Sequence, residues 1–219
     1  MSASKTETTR LLVMRHGETE ANAQRRYMGQ DDSPLTSTGR QQVKAASARL
    51  GDAQIDAIYA SDLLRAARTA EAIAAAVGRP IRFDRRLRER DSGILQGLVD
   101  DEARARHPEV FRQLDALVSD YAIPGGESAD QVRQRVAVFV RDILDRHPAQ
   151  NVLAVTHGGI ARALIWHLLD VPYASIRWAR CDNTSLSSFV HVRGAWALET
   201  WNDTAHLRDR GNLAGGATG

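Results

Sequence analysis

Two apolar runs, Leu11 to Met14 (LLVM) and Asn151 to Thr156 (NVLAVT), end alike: a basic or hydroxyl residue, then a histidine, then a glycine where a helix can begin. Each reads as a short buried strand. Buried strands followed at once by helices dictate a βαβ rhythm, because parallel neighbours need a crossover between them. They also put both histidines, His16 and His157, at strand carboxyl ends, the edge of a parallel sheet where ligands bind.

Between these runs, Thr36-Ser37-Thr38-Gly39 caps a helix with Val43, Ala46 and Leu50 on one face, and Ile55 to Ala60 forms another buried strand. Ser61 or Asp62 is expected to cap the next, alanine-rich helix over Leu63 to Val77. That helix ends near Gly78-Arg79-Pro80, with Ile81 to Phe83 as a short strand beyond it. From Leu87 to about Gly126 the pattern loosens, with Pro108 at a helix start and Pro124-Gly125-Gly126 as a break. This insertion, about 87–126, is expected to roof the site. Glu127-Ser128 opens a helix to about Arg146, and Gly158 starts one that runs through Leu169. Alternation from Ser185 to Trp201 predicts two strands about a turn at Arg193-Gly194. The chain reads as a single domain over 1–219 whose last residues, 208–219, are a frayed tail.

The composition excludes several classes. Lys+Arg number 29 against 27 Asp+Glu, a net charge of +2, which is no electrostatic footprint for nucleic acid. Lys5 and Lys44 are the only lysines, so positive charge here is arginine. The lone Cys181 allows neither an internal disulfide nor a thiolate zinc site. There is no HExxH, no DxDxDG loop and no GxxxxGK[ST] loop, so neither metal nor nucleotide cofactor is expected. No apolar run reaches the roughly 20 residues that cross a bilayer, and MSASKTETTR lacks the apolar stretch of a secretory signal. The sequence predicts a cytoplasmic protein without membrane or nucleic-acid partners.

The chemistry is carried by the strand ends. His16, beside the amides of a helix start, occupies a place that binds anions, and the guanidinium of Arg15 can fork onto phosphate oxygens. A neutral imidazole is a competent nucleophile. One histidine after a strand is more often structural, but His157 repeats the setting and Arg65 stands in the first turn after the second strand. Arg68 either reaches the substrate's far end or pairs on the surface with Glu71 or Asp62. His107, His147 and His167 read as boundary or packing residues, while His191 and His206 stay open.

Arg15-His16-Gly17-Glu18-Thr19-Glu20-Ala21-Asn22 resembles the signature of the histidine phosphatase superfamily, which includes the phosphoglycerate mutases. Further stretches match in the family's order. They are Ser33-Pro34-Leu35-Thr36 with Gly39 and Gln42, Ala60 to Ala70 around Arg65, Leu87-Arg88-Glu89 with Gly93 and Gly97, Pro124 to Ser128, and Thr156-His157-Gly158-Gly159. The resemblance spans about Leu11 to Leu169 and extends to Asn202-Asp203-Thr204-Ala205-His206. It implies a three-layer sandwich with a mostly parallel central sheet between helices, and a metal-independent phosphomonoesterase. By the resemblance His16 becomes the phosphohistidine, Arg15, Arg65 and a cationic His157 hold the phosphoryl oxygens, and Asn22 adds a neutral donor. Gly17, Gly29 and Gly158 complete the phosphate site. Glu89 gives a proton to the leaving alkoxide and then deprotonates water; Asp91 is the rival acid, its plainer reading a loop cap.

Where the family has an aromatic and an acidic residue in the acid loop, this chain has Ile94-Leu95-Gln96-Gly97, which predicts a more apolar substrate wall. The family's mutases resemble each other in a longer basic insertion before Pro124, where this chain is short and carries Asp100-Asp101-Glu102 and Asp115, so the resemblance implies a phosphatase rather than a mutase. The alternatives are a cofactor-dependent phosphoglycerate mutase and a catalytically dead phosphate-ester binding protein. The partner implied is a small-molecule phosphate ester, and relatives of this kind pair, so a homodimer is allowed.

Overall fold

Strand β1 (Thr9–Arg15) sends Leu11 and Val13 into one apolar layer and Leu12 and Met14 into another, as alternation along a strand requires. The computed structural model describes residues 8–208; the tail expected over 208–219 lies outside the described residues beyond Arg208. After β1 come α1 (Glu20–Ala23), α2 (Ser37–Leu50), β2 (Ala57–Ala60), α3 (Leu64–Val77) and β3 (Ile81–Phe83). Two short 3-10 turns (Arg85–Leu87 and Gly93–Leu95) lead to α4 (Asp100–Arg106), α5 (Pro108–Asp115) and α6 (Ala129–Arg146). The chain then forms β4 (Asn151–Thr156), α7 (Gly158–Leu168), α8 (Tyr173–Ile176), β5 (Leu186–Val192), β6 (Ala195–Asp203) and α9 (Ala205–Arg208).

Among the described residues the strands form one sheet in the order β3-β2-β4-β1-β5-β6. The first four are mutually parallel, and β5 runs antiparallel between β1 and β6. Helices α6 and α7 cover one face, packing Phe139, Ile143, Ile160 and Leu164 on Leu11, Val13 and Val152. Helices α2 and α3 cover the other, with Ala46, Leu50, Ala70 and Ile73 on Met14, Ile58 and Leu153. The result is the expected three-layer α/β sandwich. Burial on both sides explains why β1, β2 and β4 read as unbroken apolar runs.

The predicted caps hold at α2, where Thr36 Oγ1 accepts from the Gly39 amide at 2.9 Å, and at α6, where Ser128 and Gln131 cap reciprocally. They fail at α3. Neither Ser61 nor Asp62 is its N-cap: the Leu64 amide donates to Asp32 Oδ1 at 2.9 Å, from a loop more than thirty positions upstream. Asp62 instead takes a two-pronged contact from Arg88, and Ser61 serves the site. Residues 87–126 carry α4 and α5 around a small apolar cluster of Leu95, Ala103, Val110, Phe111 and Ile123. Among the described residues no helix is long and apolar enough to cross a membrane.

Candidate active site

The parallel strands β1, β2 and β4 end on the same sheet edge, and each delivers a side chain there. The His16 amide donates to the Thr156 carbonyl at 2.9 Å, so the β1–β4 pairing continues past the strand and sets His157 beside His16. The two rings lie 5.1 Å apart between centroids, tilted by 59°. Nδ1 of His16 is 2.7 Å from the Gly17 carbonyl. A carbonyl only accepts, so Nδ1 carries the proton and Nε2 keeps its lone pair. Burial, reinforced by Arg65 and Arg15, holds the His16 pKa well below 6.5 and the ring neutral.

Arg65 has one per cent of its surface exposed. It donates Nε to His157 Nδ1 at 3.2 Å, Nη1 to the Asp31 carbonyl and Nη2 to the Gly29 carbonyl, both at 2.7 Å. Three of its five N–H groups are thus engaged, and two are left for a ligand. Burial lowers its pKa from 12.5 to about 10, still well above neutrality. Gly29 sits at φ +51°, where any side chain would also overlap the Gln96 side chain, so the carbonyl that grips Arg65 requires glycine. Arg15 donates Nη1 to the Cys181 carbonyl at 2.6 Å, while its buried Nε has no partner among the described residues. A buried guanidinium N–H with no acceptor is matched to a ligand oxygen.

Asn22 accepts from the Thr19 amide and from Asn183 Nδ2 through Oδ1, which leaves its own Nδ2 as a donor. Glu89 lies in the loop after the first 3-10 turn. Its Oε2 accepts from the Gly159 amide at 3.0 Å and its Oε1 from the Arg90 amide at 2.8 Å. The carboxyl group is thereby seated on the N-terminal end of α7. Arg15, His16, Asn22, Gly29, Arg65 and Glu89 line one cavity of about 600 Å³, together with Gly158 and Gly159. Among the described residues no group of three His, Cys, Asp or Glu side chains is placed to hold a metal ion.

Two expectations need correction. Gly17 does not line the cavity: its amide donates to Thr69 Oγ1 at 3.1 Å, and a Cβ there would stand 2.7 Å from Val43 and 2.9 Å from the Gly39 carbonyl. It is a packing glycine under the site. His157 is not cationic, because burial and the neighbouring Arg65 keep its pKa well below 6.5. Its Nδ1 accepts from Arg65 and its Nε2–H donates to Ser61 Oγ at 2.8 Å, so both nitrogens are spent on protein partners and the ring orients Arg65. Arg68 lies outside the cavity and pairs with Glu71 at 2.8 Å, one of the two surface pairs expected. Asp91 caps its own loop through Gly93, as its plainer reading has it.

Several residues at the site went unread. Asn183 is buried and donates Nδ2 to the His16 carbonyl at 3.0 Å, bracing the backbone of the histidine. Its signal is topological: β5 is antiparallel to β1, so the segment entering β5 sits at the carboxyl end of β1. Ser61 is the anchor of His157, and Arg162, one helical turn beyond Gly158, joins the cavity wall.

Residues 11–204 match the histidine phosphatase superfamily (branch 1). Phosphoglycerate mutase-like protein 4 of Arabidopsis thaliana is 38% identical over 213 residues, covering 95% of this chain and 91% of that protein. Among solved structures, Bacillus stearothermophilus YhfR superposes with a TM-score of 0.85 at 35% identity, over 91% of this chain and 99% of that one. The mycobacterial glucosyl-3-phosphoglycerate phosphatase gives a TM-score of 0.81 at 32% identity, over 90% of this chain and 100% of that one. With the sheet order, the paired strand-end histidines and a match over most of its length, the chain belongs to the histidine phosphatase superfamily.

Proposed function

We propose that the protein hydrolyses a small-molecule phosphate monoester through a phosphohistidine formed on Nε2 of His16, without a metal ion. The observation that carries this reading is the state of His16. Its Nδ1–H is tied to the Gly17 carbonyl, burial keeps the ring unprotonated, and two arginines flank the place where an Nε2 lone pair meets phosphorus. Phosphoryl transfer depends mainly on positioning and on stabilising charge over the equatorial oxygens, which the free N–H groups of Arg65, Arg15 Nε and Asn22 Nδ2 supply.

In the first step the Nε2 lone pair attacks phosphorus, the ester P–O bond breaks, and Glu89 gives its proton to the departing alkoxide. Water then attacks the phosphohistidine, Glu89 takes a proton from it, the N–P bond breaks, and phosphate leaves with His16 restored. His157 holds Arg65 throughout. The solved relative that is named a phosphatase supports hydrolysis. The name of the Arabidopsis relative supports a second reading, a phosphoglycerate mutase, which 3-phosphoglycerate separates by isomerising in the presence of 2,3-bisphosphoglycerate or being hydrolysed. His16→Ala is expected to abolish turnover of p-nitrophenyl phosphate while the far-ultraviolet dichroism is kept, and wild-type turnover to withstand EDTA. Full activity in the variant defeats the phosphohistidine; loss with EDTA defeats the metal-free part.

A further inference from the structure

Resting on the reading of His16 as the nucleophile, we infer that Asn202 and His206, from the motif Asn202-Asp203-Thr204-Ala205-His206 that closes β6 and opens α9, are positioning residues for the phosphoryl site. Neither lines the cavity. They act through the turn from Cys181 to Ser185, which leads into β5 and touches three residues of the site. Arg15 gives Nη1 to the Cys181 carbonyl at 2.6 Å and its amide to the Ser185 carbonyl at 3.3 Å. The Thr184 amide is shared between the Arg15 and His16 carbonyls at 3.0 and 3.2 Å. Asn183 Nδ2 reaches the His16 carbonyl at 3.0 Å and Asn22 Oδ1 at 3.3 Å. Nucleophile, guanidinium and neutral donor thus share one support.

That support does not hold its own shape. Thr184 is fully buried at φ +55°, in the left-handed region that a β-branched residue enters only when its surroundings impose it. The imposing groups come from the C-terminal motif. Asn202 Oδ1 accepts from the Asp182 amide at 2.7 Å, and Asn202 Nδ2 donates to Asp182 Oδ2 at 3.0 Å. His206 lies between Arg49 of α2 and Thr184. A guanidinium only donates, so His206 Nδ1, 3.2 Å from Arg49 Nη1, accepts; the ring's proton is then on Nε2, 3.3 Å from Thr184 Oγ1. Burial and Arg49 hold the His206 pKa at about 4, so the ring keeps this tautomer in neutral solution. Asp203 pairs with Arg49, and Leu207 packs on Ala45 of α2, a helix that supplies none of the cavity's lining. The turn is therefore braced from outside the site.

The test uses the full chain, with p-nitrophenyl phosphate as substrate and orthovanadate, a five-coordinate mimic of transferring phosphoryl, as competitive inhibitor. A role in the fold alone lowers kcat with the folded fraction and leaves the inhibition constant unchanged, because only folded enzyme reports it. A positioning role moves both together. His206→Ala and Asn202→Gly, the latter keeping a φ of +54° that glycine accepts, are each expected to lower kcat/KM and to raise the vanadate constant by roughly five- to fiftyfold. His206→Gln, which can still donate to Thr184 Oγ1, is expected to recover most of the loss. Thr184→Val keeps the branch and removes the hydroxyl, so combining it with His206→Ala should cost no more than the larger single loss. Additive losses overturn the route through Thr184. A vanadate constant within about twofold of wild type, in whichever of His206→Ala and Asn202→Gly folds, overturns the inference and leaves the phosphatase reading standing. A wild-type protein that leaves p-nitrophenyl phosphate intact overturns the phosphatase reading, and the inference with it.

Discussion

Two adjacent glycines at the head of α7 have different duties. A Cβ on Gly158 would meet Arg15 Nε at 3.7 Å, ordinary contact, whereas one on Gly159 would overlap the Glu89 carboxylate that the Gly159 amide binds. Gly159→Ala is therefore expected to displace Glu89 and lower kcat on an alkyl phosphate by roughly ten- to a hundredfold, within the range that a positioned proton donor supplies. Gly158→Ala is expected to cost less than about threefold. Steady-state kinetics on the two variants settle the point, and equal losses would sink it. The neutral state of His16 has its own consequence. With its pKa held well below 6.5 by burial and the two arginines, the nucleophile stays unprotonated as the medium is acidified past the ordinary imidazole range. A pH profile of kcat/KM should show no loss centred near 6.5 that is due to this group.

At the scale of elements, Arg135 of α6 clamps the acid loop. Arg135 donates to both carboxylate oxygens of Glu127, to the Arg86 carbonyl at 2.6 Å and to the Glu89 carbonyl at 3.1 Å, while Glu127 Oε2 accepts from the Asp91 amide. This two-pronged pair and its backbone contacts fix the segment on either side of Glu89. Arg135 touches no reacting atom, so it is a positioning residue. Arg135→Gln is expected to lower kcat about tenfold on butyl phosphate, whose alkoxide needs a proton to leave, and less than about threefold on p-nitrophenyl phosphate, whose phenolate does not. A uniform loss on both esters would mean that the clamp serves the fold alone.

Over the whole molecule, acid stability follows from histidines kept neutral in the interior. His16 and His157 have pKa values well below 6.5 through burial, and His206 falls to about 4 through burial and Arg49. In the unfolded chain these rings take up protons near 6.5, and in the folded protein they do not. The unfolded state then binds more protons, so stability is lost as pH falls below 6.5 and continues to fall towards the depressed folded values. Carboxylates such as Asp62 and Asp100, held below the ordinary range by hydrogen bonds from Arg88 and Tyr27, add a second loss at more acid pH. Urea midpoints are expected to drop between pH 7.5 and 5, and His16→Asn to flatten that slope by up to about 1.4 kcal/mol per pH unit. A midpoint that is flat over this window, or an unchanged slope in the variant, would contradict the buried neutral state.

Much of this protein is written locally. The runs at Leu11 to Met14 and Asn151 to Thr156, each closing on a histidine and a glycine, determine two parallel strands. Parallel strands joined by right-handed crossovers bring their carboxyl ends to one edge, so His16, Arg65 and His157 had to meet there. Glu89, Asn22 and Arg15 were legible by the same order of motifs. What the chain order does not contain is which atom each group spends on which neighbour. Ser61 reads as a helix cap, yet it holds His157 while Asp32, from a distant loop, accepts from the first amide of α3; Gly17 reads as an anion site and is buried under it. His157 reads as a cation, and it is desolvation together with a guanidinium from another strand end that keeps it neutral. Protonation states and hydrogen-bond partners are set by the dielectric and by atoms far apart in sequence, so only the tertiary structure decides them.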